Sequence, residues 1–106
     1  MSNKYILDEN GNVVPCDDLI KWAKWIEVGV RKVAKTEVVG PPVTVSTVFL
    51  GIDHQFGEGE PLLFETMVFG GQYDNYTRRY STKEAAEKGH AEIVEKLKIG
   101  IDLHEV

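Results

Sequence analysis

Residues 43–71 constrain this chain more than any other stretch. Two runs there, 43–52 (VTVSTVFLGI) and 61–70 (PLLFETMVFG), are rich in β-branched and aromatic side chains and are bounded by Gly or Pro. Such side chains suit a pleated, half-buried surface. The loop 53–60 (DHQFGEGE) joins the runs, so an antiparallel hairpin is the economical reading. Period-two alternation puts Val43, Val45, Thr47 and Phe49 on one face of the first strand and Thr44, Ser46, Val48, Leu50 and Ile52 on the other. In the second strand Leu62, Phe64, Thr66 and Val68 share a face, opposite Leu63, Glu65, Met67 and Phe69. Neither strand is cleanly amphipathic. A sheet with apolar groups on both sides covers helices with one face and offers the other to a loop, a ligand or a second subunit.

The flanking segments supply the helices. Residues 4–7 and 12–15 surround Asp8-Glu9-Asn10-Gly11, a turn sequence that predicts a short N-terminal hairpin ending at Pro15, which cannot donate to a ladder. The run Cys16-Asp17-Asp18 offers an N-cap carboxylate with a second acid in the first turn. A helix is expected over 18–34, with Leu19, Trp22, Ala23, Ile26, Val30 and Val33 as its apolar stripe and Ile20 and Trp25 widening it. The two tryptophans read as core packing rather than as a binding surface. Residues 35–39 form either a short strand or the frayed helix end, and Gly40-Pro41-Pro42 breaks the chain. After the main hairpin, 72–76 is a turn and 77–80 a third strand. Ser81-Thr82-Lys83-Glu84 has capping-box spacing and opens a helix over 82–99, with Ala86, Gly89, His90, Ile93 and Leu97 along one side and Gly100 as its C-cap. Residues 101–106 alternate and add an edge strand or lie loose. The order predicts one α+β domain spanning 1–106: a small antiparallel sheet with two helices packed on one face.

Composition removes several classes of function. The 17 acidic and 12 basic residues give a net charge of −5 without any run of like charges, which argues against general nucleic-acid binding. No segment approaches the ~18 apolar residues of a membrane span, the N-terminus is too short in apolar residues for a secretory signal, and a single cysteine cannot form an internal disulfide. A cytoplasmic setting is expected. Cys16 has no basic neighbour, and Asp17 and Asp18 oppose thiolate formation, so it is a poor nucleophile.

The candidate site residues cluster in the second half. Asp53-His54 lies where the first strand enters its loop, and a neighbouring carboxylate can orient an imidazole as general base or metal ligand. Glu65 interrupts an apolar run, so it needs a partner if its face is buried, and Arg78 or Arg79 on the next strand is placed to supply one. Gly70-Gly71 with Arg78 and Arg79 is a candidate anion cradle, weighed against a plain turn followed by strand charges. His90 falls on the apolar side of the last helix, where a core histidine bonded to a backbone carbonyl is the preferred reading. No pair of Cys or His has ligand spacing, and neither a metal nor a cofactor is expected.

The segments VSTVFLGIDH (45–54), PLLFETMVFGG (61–71), RYST (79–82) and Ala86 through Gly89-His90 resemble a group of small uncharacterised proteins found in temperate phages, prophages and some bacterial chromosomes. The resemblance covers most of the chain between 15 and 98. It implies a phage origin and an accessory role exerted on the host, for example against a defence system, and it brings no activity with it. The expected function is therefore a non-enzymatic binding protein that captures a host protein or a small ligand, a phosphorylated one included. Asp53, His54, Glu65, Arg78 and Arg79 are its expected polar contacts, and the second sheet face is the expected surface for homodimerisation or capture. The alternative is a small hydrolase or transferase with His54 as base, Asp53 orienting it and Glu65 as acid or metal ligand.

Overall fold

A computed structural model describes residues 3–39, 42–53 and 59–104. The chain runs β1 (Tyr5–Leu7), β2 (Val13–Pro15), α1 (Leu19–Val28), β3 (Lys32–Val38), β4 (Val43–Phe49), β5 (Phe64–Phe69), β6 (Thr77–Tyr80) and α2 (Lys83–Ile99). It is an α+β fold, as the order of elements predicts: a two-stranded sheet, a four-stranded sheet in the order β3-β4-β5-β6, and two helices. Every strand pair is antiparallel.

The N-terminal hairpin closes through Asp8, whose carboxylate accepts the backbone N–H groups of Asn10 (2.9 Å) and Asn12 (2.8 Å). These bonds, that from Asn12 foremost, hold the Asp8 carboxyl below its usual range. Asp18 is the N-cap of α1, accepting from Ile20 and Lys21 at 3.1 Å each, and no second acid stands in the first turn. The helix expected over 18–34 stops at Val28. Gly29 takes an extended conformation, and Lys32–Val38 pairs with β4 instead. Val28, Val30 and Val33 are β-branched and poor helix formers, and Gly29 adds its own cost. The open edge of β4 gives Lys32–Val38 a ladder of hydrogen bonds that a helix end cannot match.

Both helices address the sheet face that carries Val45, Thr47 and Phe49 of β4 and Phe64, Thr66 and Val68 of β5. From α1, Trp25 sets its ring edge-on to Phe49 with centroids 5.6 Å apart, and Trp22 donates from Nε1 to the Gly51 carbonyl at 2.9 Å. The tryptophans thus serve packing, as expected. Helix α2 lies across all four strands and buries Ala86, Gly89, His90, Ile93 and Val94. Its N-cap is Thr82, whose hydroxyl accepts from the Ala85 N–H at 3.1 Å; the cap thus stands one residue beyond the expected Ser81, and Ala85 has no carboxylate to complete a capping box. Gly100 ends the helix at φ 78°, a left-handed conformation that glycine adopts without steric cost. Leu103 then folds back into the core.

That core has two apolar parts. One holds Val45, Val68, Ile93, Val94 and Leu103, and the other holds Phe49, Leu63, Phe64, Tyr80 and Ala86. Between them, at the register point where Thr47 faces Thr66, runs a layer of polar side chains.

Candidate functional site

The side chains singled out in the sequence lie in separate places. The Asp53 carboxylate accepts the Leu62 N–H at 3.0 Å, and its own N–H donates to the Asn3 carbonyl at 2.9 Å, so it pins the loop to the chain on either side. His54 lies outside the described residues. Glu65 faces Arg79 across β5 and β6, and the two pair at 3.0 Å with side chains 14% and 42% exposed. Arg78 turns to the opposite face, towards Glu92 of α2 (3.4 Å) and the Tyr76 hydroxyl (3.2 Å). Adjacent strand residues point to opposite faces, so the two arginines do not converge. At Gly70-Gly71, a candidate anion cradle set against the preferred reading of a plain turn, the Gly70 N–H donates to the Asp74 carboxylate at 2.7 Å. Among the described residues, no group of three or more His, Cys, Asp or Glu side chains is arranged to hold a metal ion.

The polar layer in the core is the feature that the sequence reading located least completely. His90 is 6% exposed, and Thr47 and Thr66 have no solvent access. His90 Nδ1 lies 2.7 Å from Thr47 Oγ1 and Nε2 lies 2.9 Å from Thr36 Oγ1. Thr47 bonds Thr66 across the β4–β5 ladder, and the Tyr80 hydroxyl donates to Thr66 at 3.1 Å. Four elements of the sheet and α2 thus contribute one side chain each to a single chain of hydrogen bonds.

Proton bookkeeping gives that chain a direction. Each hydroxyl has one proton to donate. With Tyr80 donating to Thr66, the arrangement that places every proton on one of these contacts has Thr66 donating to Thr47 and Thr47 to His90 Nδ1. The ring keeps its proton on Nε2 and donates it to Thr36. In this arrangement the imidazole is neutral and every member is satisfied; among the described residues no buried side-chain N or O lacks a partner. Burial lowers the His90 pKa and raises that of the Tyr80 phenol, which fits two groups held uncharged. Gly89 makes the close approach possible, because a methyl group there would run into the Tyr80 hydroxyl. His90 is a satisfied core histidine, as expected from its place on the apolar side of α2, but its partners are threonine hydroxyls instead of a backbone carbonyl.

A cleft of about 450 Å³ opens beside the apolar part of the core that holds Val45 and Val68. Val38, Val43, Val68 and Leu97 form its floor, and Glu37, Gln72, Tyr73 and Lys98 stand around it. The Tyr73 hydroxyl donates to Asp102 at 3.1 Å, and the Tyr73 and Tyr76 rings contact His104 with centroids 5.8 and 5.4 Å away. The last turn of α2 and the segment after it therefore form one wall, and the end of β3 forms the other.

No known family model, curated protein or solved structure matches this chain. Its function has to be read from the site itself. The sequence carried two signals for the features that matter. Thr47 and Thr66 each stand between apolar residues on the inward face, in Val45-Thr47-Phe49 and Phe64-Thr66-Val68, and His90 shares the apolar side of α2. Three polar residues on three inward faces mark a buried network. Gly70-Gly71, the second signal, lines the cleft.

Proposed function

We propose that this protein is a non-enzymatic binding protein, an accessory of the phage type acting in the cytoplasm of a host cell, that seats a small, largely apolar ligand in the cleft between β3 and the end of α2. The observation that carries the reading is the cleft itself: about 450 Å³, with an aliphatic floor and a few polar groups at its margin. That size and lining are those of small-molecule sites, in which apolar surface supplies affinity and one or two polar groups fix orientation. Glu37 and Lys98 stand at the margin with opposite charges and suit a ligand with a polar end. Of the residues in the hydrolase alternative, Glu65 is held by Arg79 and Asp53 accepts the Leu62 N–H, and the His54 base lies outside the described residues.

Fragment screening by protein-observed NMR tests the proposal. Small apolar acids and amines at millimolar concentration are expected to shift the amides of Val38, Val43, Val68 and Gly71 together, and Leu97→Trp, which fills the cleft, is expected to abolish those shifts. A screen in which hits gather elsewhere, or in which Leu97→Trp binds unchanged, overturns it. Native mass spectrometry of protein purified from its own cells then gives the mass of the natural ligand.

A further inference from the structure

We infer that the relay from Tyr80 through Thr66, Thr47 and His90 to Thr36 is a protonation-sensitive latch that fastens α2 to the edge strand β3 and so controls the cleft. The inference rests on the reading of the cleft as a binding site only for its purpose; the latch itself is argued and tested without a ligand.

Thr36 lies two residues before Val38, and His90 lies seven residues before Leu97, about 10 Å along α2. Val38 and Leu97 line the two walls of the cleft. The bond from His90 Nε2 to Thr36 thus ties together the two elements that form the walls, about two helical turns from Leu97 on the α2 side.

A second proton on the ring breaks the logic of the relay. Both nitrogens would then be donors, so Thr47 would have to accept from Nδ1 and pass its own proton to Thr66. Thr66 already accepts from Tyr80. Its proton and that of Tyr80 would be left to compete for the same contact, and one hydroxyl in a closed core would lose its acceptor. Among the described residues no carboxylate is paired with the ring. From β3, Thr36 faces the ring, while Lys32, Lys35 and Glu37 are exposed. From β4 and β5 come Thr47 and Thr66, with Glu65 on the far face. From β6 come Tyr80 and the cation Arg78, which is tied to Tyr76 and to Glu92 of α2 itself; Lys96 of α2 also reaches Glu92 at 3.8 Å. A buried charge without a partner is costly, and the way out is to admit water. The β3 side gives first. Thr36 is only half-buried and stands on an edge strand, whereas Thr47 and Thr66 are sealed in the middle of the sheet.

The experiment is amide hydrogen exchange, corrected for intrinsic rates, across pH 7.5 to 4.5, together with NMR titration of the His90 ring. Protection of Thr36, Glu37 and Val38 is expected to fall about tenfold per pH unit between the ordinary histidine value of about 6.5 and the ring's own lower midpoint, the dependence of a one-proton opening. His90→Gln, neutral throughout, is expected to flatten that dependence, and His104→Gln, next to the cleft but outside the relay, to leave it in place. Thr36→Val, which keeps shape but removes the last acceptor, is expected to expose the same amides already at pH 7.5. The proposal is overturned if the ring titrates while β3 protection stays flat, or if β3 opens with pH as strongly in His90→Gln as in the parent. Should His90→Gln not fold, Thr36→Val alone decides: protection at pH 7.5 equal to that of the parent sinks the latch. None of these outcomes depends on whether the cleft binds anything, so the latch and the proposed function stand or fall separately.

Discussion

On the inner face of β4 and β5, Thr47 and Thr66 meet where no water reaches, while one residue away on the outer face Glu65 meets Arg79 at a margin that is 42% exposed on the arginine side. Both are cross-strand polar pairs in one sheet, yet they are built from different chemistry. The inner pair is neutral and is one link in a relay whose every proton is assigned. The outer pair is ionic, and solvent screens it. A polar group sealed in the core is expensive to leave unpaired, so removal of any one member exposes the desolvation cost of the others. A half-exposed ion pair returns its partner to water, and little is lost. The comparison predicts a steep order of mutational effects across a few ångströms of sheet.

The steepest is His90→Ala. It removes a ring that fits between two apolar clusters, takes the acceptor from the Thr47 hydroxyl and breaks the bond to Thr36, so the loss combines a cavity with broken hydrogen bonds, about 3–5 kcal/mol together. Urea denaturation at pH 7.5 measures it. A loss under about 1 kcal/mol would mean that the relay closes up or takes in water, and the contrast between the two faces would vanish.

Next come the threonines. Thr47→Val and Thr66→Val keep shape and remove two of the relay's hydrogen bonds each, and about 1–3 kcal/mol is expected for either. Because both interrupt the same chain, the double variant should cost less than the sum, with a coupling of at least about 0.5 kcal/mol in the double-mutant cycle. Strict additivity would mean that the four bonds are independent contacts that merely lie in line.

Solution pH probes the inner face without mutation. The folded-state pKa of His90 is depressed by burial, while the unfolded chain takes a proton at about 6.5. Between those values the unfolded state binds more protons, so the stability contributed by neutral His90 is complete above about pH 6.5 and is lost as pH falls towards the depressed value, by at most about 1.4 kcal/mol per pH unit. Asp8 and Asp102, both held below the ordinary carboxylate range by backbone hydrogen bonds foremost, add a loss that begins only below about pH 4. A stability curve from pH 8 to 3 should therefore step twice, and His90→Gln should remove only the upper step.

How far these features were legible depended on whether a local pattern or a distant neighbour decided them. The alternation in 43–49 and 64–69 was enough to place Val45, Thr47 and Phe49 on one face and Phe64, Thr66 and Val68 on another, because in a strand the period is two regardless of context. It was not enough to make Thr47 face Thr66, since that register is set by the connection between the strands. The misread element was the second half of the first helix. Ile26, Val30 and Val33 satisfy helical spacing, and nothing local distinguishes that from the strand Lys32–Val38, which exists because β4 has an edge to fill. The cleft is the extreme case: β3, the turn after β5 and the end of α2 meet there from three parts of the sequence.

The smallest predicted effect lies on the outer face. Glu65 drew attention because a carboxylate inside an apolar run needs a partner, and Arg79 is that partner at 3.0 Å. Their worth is nonetheless modest, because an ion pair with one arm substantially in solvent contributes about 0–1 kcal/mol, and salt reduces it further. Glu65→Gln keeps volume and one acceptor while it removes the charge, so a change under about 1 kcal/mol is expected, shrinking between 0.05 and 0.5 M salt. The contrast with Thr66→Val, its neighbour on the same strand, is the sharpest form of the comparison, since the two substitutions differ by one residue in sequence and by the whole sheet in environment. If Glu65→Gln instead proved as costly as Thr66→Val, and indifferent to salt, the outer face would be shielded from water in solution, and covering of that face by a second copy of the chain would become the first thing to measure.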